Sequence, residues 1–325
     1  MAPEPKQLEV VPVWSVSAGE EGGARWLVDR LWGEEAVGVI GGAPKCTKSW
    51  LSLEMALAVA SGVPCLGVFH IERPGPVLVL AAEDSPRQVR ERMEGLAKVR
   101  GVRFGALDVN LIVETRLQLQ HPIDQNRVAA VLERYRPRLL VLDPFIRLHS
   151  VDENSASEIS GVLATLRQWQ RMFRVAILVV HHTRKVNGGS PGQALRGSSD
   201  FHAWGDSNLY LKRKEEEIVL TMEHRSAASG TPVRLRLAAD DVPPHLEVIG
   251  DTADEQKGDR ADDLPQRIFA FVARSETPPT QEAIRTALSV RNQTLTVTLQ
   301  DLQKQGRLIR HQGRWGMPRI EESVF

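Results

Sequence analysis

The sequence predicts an α/β protein in which a mostly parallel β-sheet is flanked by helices and followed by a small separate C-terminal unit. Three observations predict it. Short apolar runs rich in β-branched residues and without polar alternation recur at 36–40 (AVGVI), 76–82, 110–113, 139–143 and 175–180, the pattern of strands buried on both faces. Helical stretches separate them, "KSWLSLEMALAVASG", "SPRQVRERMEGLAKV", "DQNRVAAVLERYR" and "ASEISGVLATLRQWQRMF", so strand and helix alternate as in a doubly wound sheet. After Gly205 the rhythm changes to "SNLYLKR", "EEIVLTMEHR", "TPVRLRL" and "HLEVI", which read as antiparallel strands finishing the sheet.

The ends are of a different character. Residues 1–35 read as an irregular N-terminal extension, in which "RWLVDRLW" alternates enough to pack as a short helix against the α/β region. Residues 36–250 carry the α/β pattern, the polar, acidic stretch 251–263 reads as a linker, and 264–319 form the small unit. The chain has a net charge of +0, yet between Leu264 and Arg319 nine basic residues face three acidic ones, an excess of +6. Such a surface suits an anionic partner. No run approaches the roughly 20 apolar residues of a membrane span, and the N-terminus lacks a basic segment followed by an apolar one. Cys46 and Cys65 are too few for a disulfide framework or a zinc site. The expectation is a cytoplasmic protein with no membrane partner.

The chemistry concentrates at "VGVIGGAPKCTKSW", Val37 to Trp50, which tracks G-x-x-x-x-G-K-[ST] between a strand and a helix. A phosphate cradle needs inward backbone N–H groups, a helix N-terminus, a lysine for the β/γ-phosphates and a hydroxyl for Mg²⁺. Gly42, Lys48 and Ser49 stand at the required spacing, and Gly42, Ala43, Pro44, Lys45, Cys46, Thr47, Lys48, Ser49 and Trp50 form the candidate ATP site. Thr47 occupies the place of the second glycine. It must hold strained torsions at a cost of about 1–3 kcal/mol or a different turn, and a mere connecting turn or a weakly binding loop are the alternatives. Asp143, ending "LLVLD", can hold Mg²⁺ together with Ser49. Glu83 and Asp84 end a neighbouring strand, and Glu83 is the candidate for orienting the attacking water. His181 and His182 end another, placed to sense the γ-phosphate.

In that order, "GGAPKCTKSWLSLEMALAVASG", "VLVLAAEDS", "LLVLDPFIRLH", "ILVVHHTRK", "ALRGSSDFHAWGDSNLYL" and "TMEHRSAASGTPVRLRL" resemble the RecA-type ATPase core. The resemblance is to RepA-type hexameric replicative helicases and their AAA-family relatives of plasmids and phages, over about residues 25–250. It implies a RecA-like sheet, ATP and Mg²⁺ as cofactors, phosphate binding by Lys48 and Ser49, metal binding by Asp143, Glu83 as catalytic base and His182 as sensor. It also implies a homo-oligomer, hexameric in the family's manner, whose sites are completed by a neighbour's arginine. Arg225 and Arg196 match that role, although Glu223 stands where relatives have a lysine.

Loops after Asp143 and His182 would then face a channel, with Arg147, Arg184 and Lys185 on a single DNA strand and Gly188, Gly189 and Gly192 giving the second loop freedom to move. The tail resembles a winged helix. In it Arg291, Asn292, Gln293 and Thr294 would enter a major groove of duplex DNA and Arg310, His311 and Arg314 track the backbone, while protein docking is the other use of such a unit. The expected function is an ATP-hydrolysing, DNA-dependent motor, a replicative helicase of a mobile element. The alternatives are a recombination or repair ATPase that does not unwind, and a nucleotide-sensing DNA-binding regulator.

Overall fold

The structure is a computed structural model. It describes residues 11–15, 26–182 apart from 115 and 154, 200–250 apart from 240 and 241, and 264–316 apart from 276, 289, 291 and 312. In place of the short helix expected from "RWLVDRLW" stands an antiparallel hairpin, β1 (Trp26–Val28) and β2 (Trp32–Gly33). Arg30 turns the chain in the left-handed region at φ 55°. An isolated helix of about eight residues is too short to hold itself, whereas the extended chain gains tertiary bonds. Asp29 N donates to His70 O and Gly33 N to Ser207 Oγ, and Leu27, Val28, Leu31 and Trp32 all enter the core.

β3 (Val37–Gly42) is buried at every position. It leads into α1 (Lys48–Ser61), and then come β4 (Val77–Ala81), α2 (Pro86–Val99), β5 (Val109–Leu111), α3 (Pro122–Tyr135), β6 (Leu139–Asp143), α4 (Ala156–Phe173) and β7 (Ala176–His182). The short α5 (Asp200–Trp204) precedes the meander β8 (Ser207–Lys214), β9 (Glu217–His224), β10 (Val233–Ala238) and β11 (His245–Val248). All but the first hairpin join one nine-stranded sheet in the order β11-β10-β9-β8-β3-β7-β6-β4-β5. From β8 to β5 every pair is parallel, and β8 to β11 pair antiparallel, as the late strands predict. α2 begins with a capping box, Ser85 Oγ accepting from Gln88 N while Gln88 Oε1 accepts from Ser85 N.

Each face of the sheet carries its own apolar layer, α1 and α2 on one and α3 and α4 on the other. α1 is buried at ten of its fourteen positions, which makes it a helix covered nearly all round. Its Glu54 is 0 % exposed and accepts from Arg100 Nε at 2.6 Å and from Leu66 N at 2.9 Å, while Arg100 Nη2 donates to Leu246 O. Burial raises the Glu54 pKa and the Arg100 charge opposes the rise. One residue cluster thus fastens α1 to the end of α2 and to β11.

The C-terminal unit contains α6 (Leu264–Arg274), α7 (Gln281–Leu288), α8 (Asn292–Lys304) and a hairpin of β12 (Ile309–His311) and β13 (Arg314–Gly316). Leu264, Ile268, Ile284, Leu295, Leu299 and Trp315 belong to a core of its own. The expected linker, 251–263, lies outside the described residues. Among the described residues no helix is long and apolar enough to cross a membrane.

The start of β3 is stitched by side chains. Asp206 Oδ2 accepts from Val37 N and Asn208 Oδ1 from Val39 N, and a Cβ on Gly38 would lie 1.7 Å from the Ser207 carbonyl oxygen. Gly38→Ala must therefore part β3 from β8, and we expect it to cost about 3 kcal/mol, read as a lowered midpoint in urea unfolding. An unchanged midpoint would show that the close approach is dispensable.

Candidate nucleotide site

Parallel register sets the geometry. Gly42 pairs with His182 across β3 and β7, and Ala81 pairs with Asp143 across β4 and β6. The C-terminal ends of the strands, where ligands settle in open α/β sheets, therefore gather the P-loop, Glu83, Asp143 and His182. Lys45, Cys46, Thr47, Lys48, Ser49, Trp50, Glu83, Asp84, Arg92, Asp143, Pro144, Val180 and His182 line a cavity of about 260 Å³.

Within the loop, Lys45 and Thr47 both sit in the left-handed region, at φ 64° and 61°. The first of the two readings of Thr47 holds: a β-branched residue keeps the glycine-like torsions instead of changing the turn. Its hydroxyl turns back to donate to Cys46 O at 2.6 Å and does not cap α1. With no side-chain cap from Thr47, the first N–H groups of α1 can meet an anion. Gly42 is constrained by space, since a Cβ there would approach Leu211 O to 2.8 Å. Arg213 Nη1 donates to Lys45 O at 3.3 Å and ties the loop to β8.

Lys48 Nζ donates to Gly42 O at 3.0 Å and Ala43 O at 2.9 Å, and stands 3.2 Å from His182 Nδ1. Burial lowers its pKa, and the charges of Cys46, Asp143 and Glu83 push it back up. Asp143 Oδ2 accepts from Ser52 Oγ at 3.1 Å. Burial pushes its pKa up to about 6, opposed by hydrogen bonds from Ser49 and Ser52 and by the Lys48 charge, and reinforced by Asp84. A desolvated carboxylate beside two hydroxyls, only partly balanced by the Lys48 charge, is a hard-oxygen donor set that fits Mg²⁺. Glu83 Oε1 accepts from Arg147 Nε at 2.7 Å, and Arg92 pairs with Asp84 while lying over the Trp50 ring.

The structure thus brings together Lys45 to Trp50, Glu83, Asp143 and His182, with Gly42 and Ala43 beneath Lys48, and adds Arg147 through Glu83. Arg225 is elsewhere. Its Nη1 lies 3.2 Å from Asp206 Oδ1 and its Nη2 donates to Ala203 O, while Asp206 N donates to Val37 O. That is where β3 begins, the end of the strand away from the loop after Gly42. Glu223 faces His202, 3.5 Å from Nδ1. Arg184, Lys185, Arg196 and Arg291 lie outside the described residues. Asn292 and Gln293 open α8. In the hairpin, Arg310 lies over the Trp315 ring and Arg314 Nη1 donates to Pro278 O at 3.0 Å. Sequence reasoning missed Ser52, Arg92 and Arg213. Arg92 had a signal, being a cation on the helix next after Glu83, while Arg213 had none.

A family model described as an AAA domain matches residues 3–188, more than half of the chain and a span that holds the P-loop, Glu83, Asp143 and His182. The chain belongs to the AAA-domain family. Two solved structures are similar to this AAA-domain protein. One is the RadB recombinase, with a TM-score of 0.46 and 16% identity over 67% of this chain and 92% of that one. The other is a DnaB-like replicative helicase studied with its primase interactions, with a TM-score of 0.49 and 13% identity over 67% of this chain. The AAA-domain chain spans 58% of the length of that helicase chain.

The site of this AAA domain carries two expectations. The Asp143 pKa is raised from 3.8 to about 6 on folding. Its contribution to stability is therefore full below about pH 4 and is lost as pH rises through about 6. Asp143→Asn removes that loss, so in nucleotide-free protein its melting temperature should exceed the parent's at about pH 8 and match it near pH 4. Thr47→Gly relieves left-handed strain and loses some chain entropy, for a net gain of about 1 kcal/mol in urea unfolding, and a net loss would show that Thr47 is at ease in its torsions.

Proposed function

We propose that the chain is an ATP-hydrolysing, DNA-dependent motor that works as a ring of identical subunits, in the manner of a replicative helicase of a mobile element. The convergence of Lys48, Asp143, Glu83 and His182 on one cavity at the N-terminus of α1 carries the ATPase part of this reading. ATP enters with its phosphates on the loop, and Lys48 exchanges the Gly42 and Ala43 carbonyls and His182 for phosphate oxygens. Ser49 and Asp143 would hold Mg²⁺, which would supply positive charge to offset that of the phosphates. Glu83 orients the attacking water once Arg147 lets it go, and His182 reads the terminal phosphate.

A trans role for Arg225 is supported by its place at the far end of β3 from its own loop, out of reach of its own nucleotide site. Arg196 is the second candidate for that role. DNA as the partner is supported by the basic tail, with its +6 excess and its three helices and hairpin, and by Arg147 on the segment that leaves Asp143. In this reading single-stranded DNA lies against the loops that carry Arg147, Arg184 and Lys185, and the winged-helix-like tail holds duplex through Arg291, Asn292, Gln293, Arg310 and Arg314.

A nucleotide-sensing regulator is favoured by two observations, the strained Thr47 and the engagement of Glu83 by Arg147. Steady-state ATP hydrolysis with and without single-stranded DNA separates the readings. For the motor, Lys48→Ala should abolish turnover, and Glu83→Gln should lower kcat by about 10² or more while a fluorescent ATP analogue still binds. DNA should raise the parent's rate. Binding with negligible turnover in the parent selects the regulator, and hydrolysis without unwinding of a forked duplex selects the recombination or repair ATPase.

A further inference from the structure

On the face of β7 opposite His182, three ionisable side chains are buried together. Glu153 Oε1 lies 3.4 Å from His149 Nε2 and 3.5 Å from His181 Nδ1, with the three side chains 9 %, 0 % and 1 % exposed. Among the described residues neither ring nitrogen of His149 nor Glu153 Oε1 has a hydrogen-bond partner of good geometry. Aromatic rings enclose the group. His149 rests on Phe145 at 4.7 Å, Phe145 meets Phe201 edge-on at 5.8 Å, and Phe201 stacks on His181 at 4.5 Å. The cluster therefore joins the segment leaving Asp143, the end of β7 and α5.

Stability does not account for it. Replacing buried ionisable groups paired at long range by apolar side chains of the same volume is often neutral or stabilising, and buried polar atoms left unpaired in a native structure call for an explanation. Among the described residues no group of His, Cys, Asp and Glu side chains is arranged to hold a metal ion here. Its position supplies the reason. Successive strand residues point to opposite faces, so the rotation of the strand end that seats His181 against Glu153 and Phe201 also sets where the next ring, His182, meets Lys48.

We propose that Glu153 is a positioning residue for the nucleotide site. Through His181 it fixes the twist of the end of β7 and hence the reach of His182 toward Lys48 and the terminal phosphate. Through His149 it ties that setting to the segment leaving Asp143, so the two segments bordering the cavity move as one. This inference rests on the ATPase reading above.

The test is a double-mutant cycle on the full chain, comparing the parent, Glu153→Gln, His182→Ala and the pair. A second variant, His149→Phe with Glu153→Leu, keeps the volume apolar in case Glu153→Gln folds poorly, and melting curves are recorded for all. The expected result is that Glu153→Gln, and the apolar variant, lower kcat about tenfold with KM and the affinity for a fluorescent ATP analogue within about twofold of the parent. Glu153→Gln should add nothing further on the His182→Ala background, because it acts through that ring. Parental kcat in a folded Glu153→Gln or apolar variant overturns the proposal, as does a cycle in which the two losses multiply, the sign of a structural role independent of His182. An inactive parent overturns the ATPase reading and this inference together, whereas an active parent with an indifferent Glu153 overturns this inference alone.

Discussion

The pairing of β3 with β7 is the constraint on which the site depends. It is parallel and in register over six residue pairs, from Val37 with Ile177 to Gly42 with His182. A shift of one residue would send His182 into the apolar face and His181 toward the loop, since the side-chain period is two. The register is protected from both sides. Ile177 and Val179 pack into one apolar layer while Leu178 and Val180 pack into the other, and on the second edge of β3 the Asp206 and Asn208 side chains bond the strand's own N–H groups. The apolar pattern of the interior and the polar chemistry at the strand ends are in this sense one specification.

Around that register the site holds charges where water is scarce. Burial acts on Lys48 and Asp143 in opposite directions on the pKa scale, down for the amine and up for the acid, and both shifts say that the charged forms lack full solvation. Each group partly stabilises the other. The Gly42 and Ala43 carbonyls and the Ser52 hydroxyl supply dipoles in place of water, but they do not fully replace the solvation of either charge. The left-handed Thr47 belongs to the same pattern, because the loop keeps its curvature even where the residue resists it.

Much of this was legible in the sequence, for physical reasons that differ by element. Continuous apolar runs betrayed the parallel strands because strands covered on both faces cannot alternate. The placing of the loop and Asp143 at strand ends around one cavity was legible because a strand, a glycine-bearing turn and a helix follow one another within a few positions, and Asp143 closes an apolar run. Contacts between distant segments were not. Arg147 and Glu83 are 64 residues apart, and nothing local announces that one takes the other's carboxylate. The buried group of His149, Glu153 and His181 was invisible for the same reason. The N-terminal hairpin was misread as a helix because its apolar residues 27, 28, 31 and 32 suit one face of a helix as well as a turn, and only the partners from His70 and Ser207 decide between them.

α1 is the element that the loop opens, and it is enclosed on nearly every side and pinned through Glu54 to Arg100 and so to β11. A helix so enclosed acts as an anvil. The strand ends that face it, where Arg147 and His182 sit, are less enclosed. The stiff side of the cavity is thus the helix, and the compliant side is the strand ends.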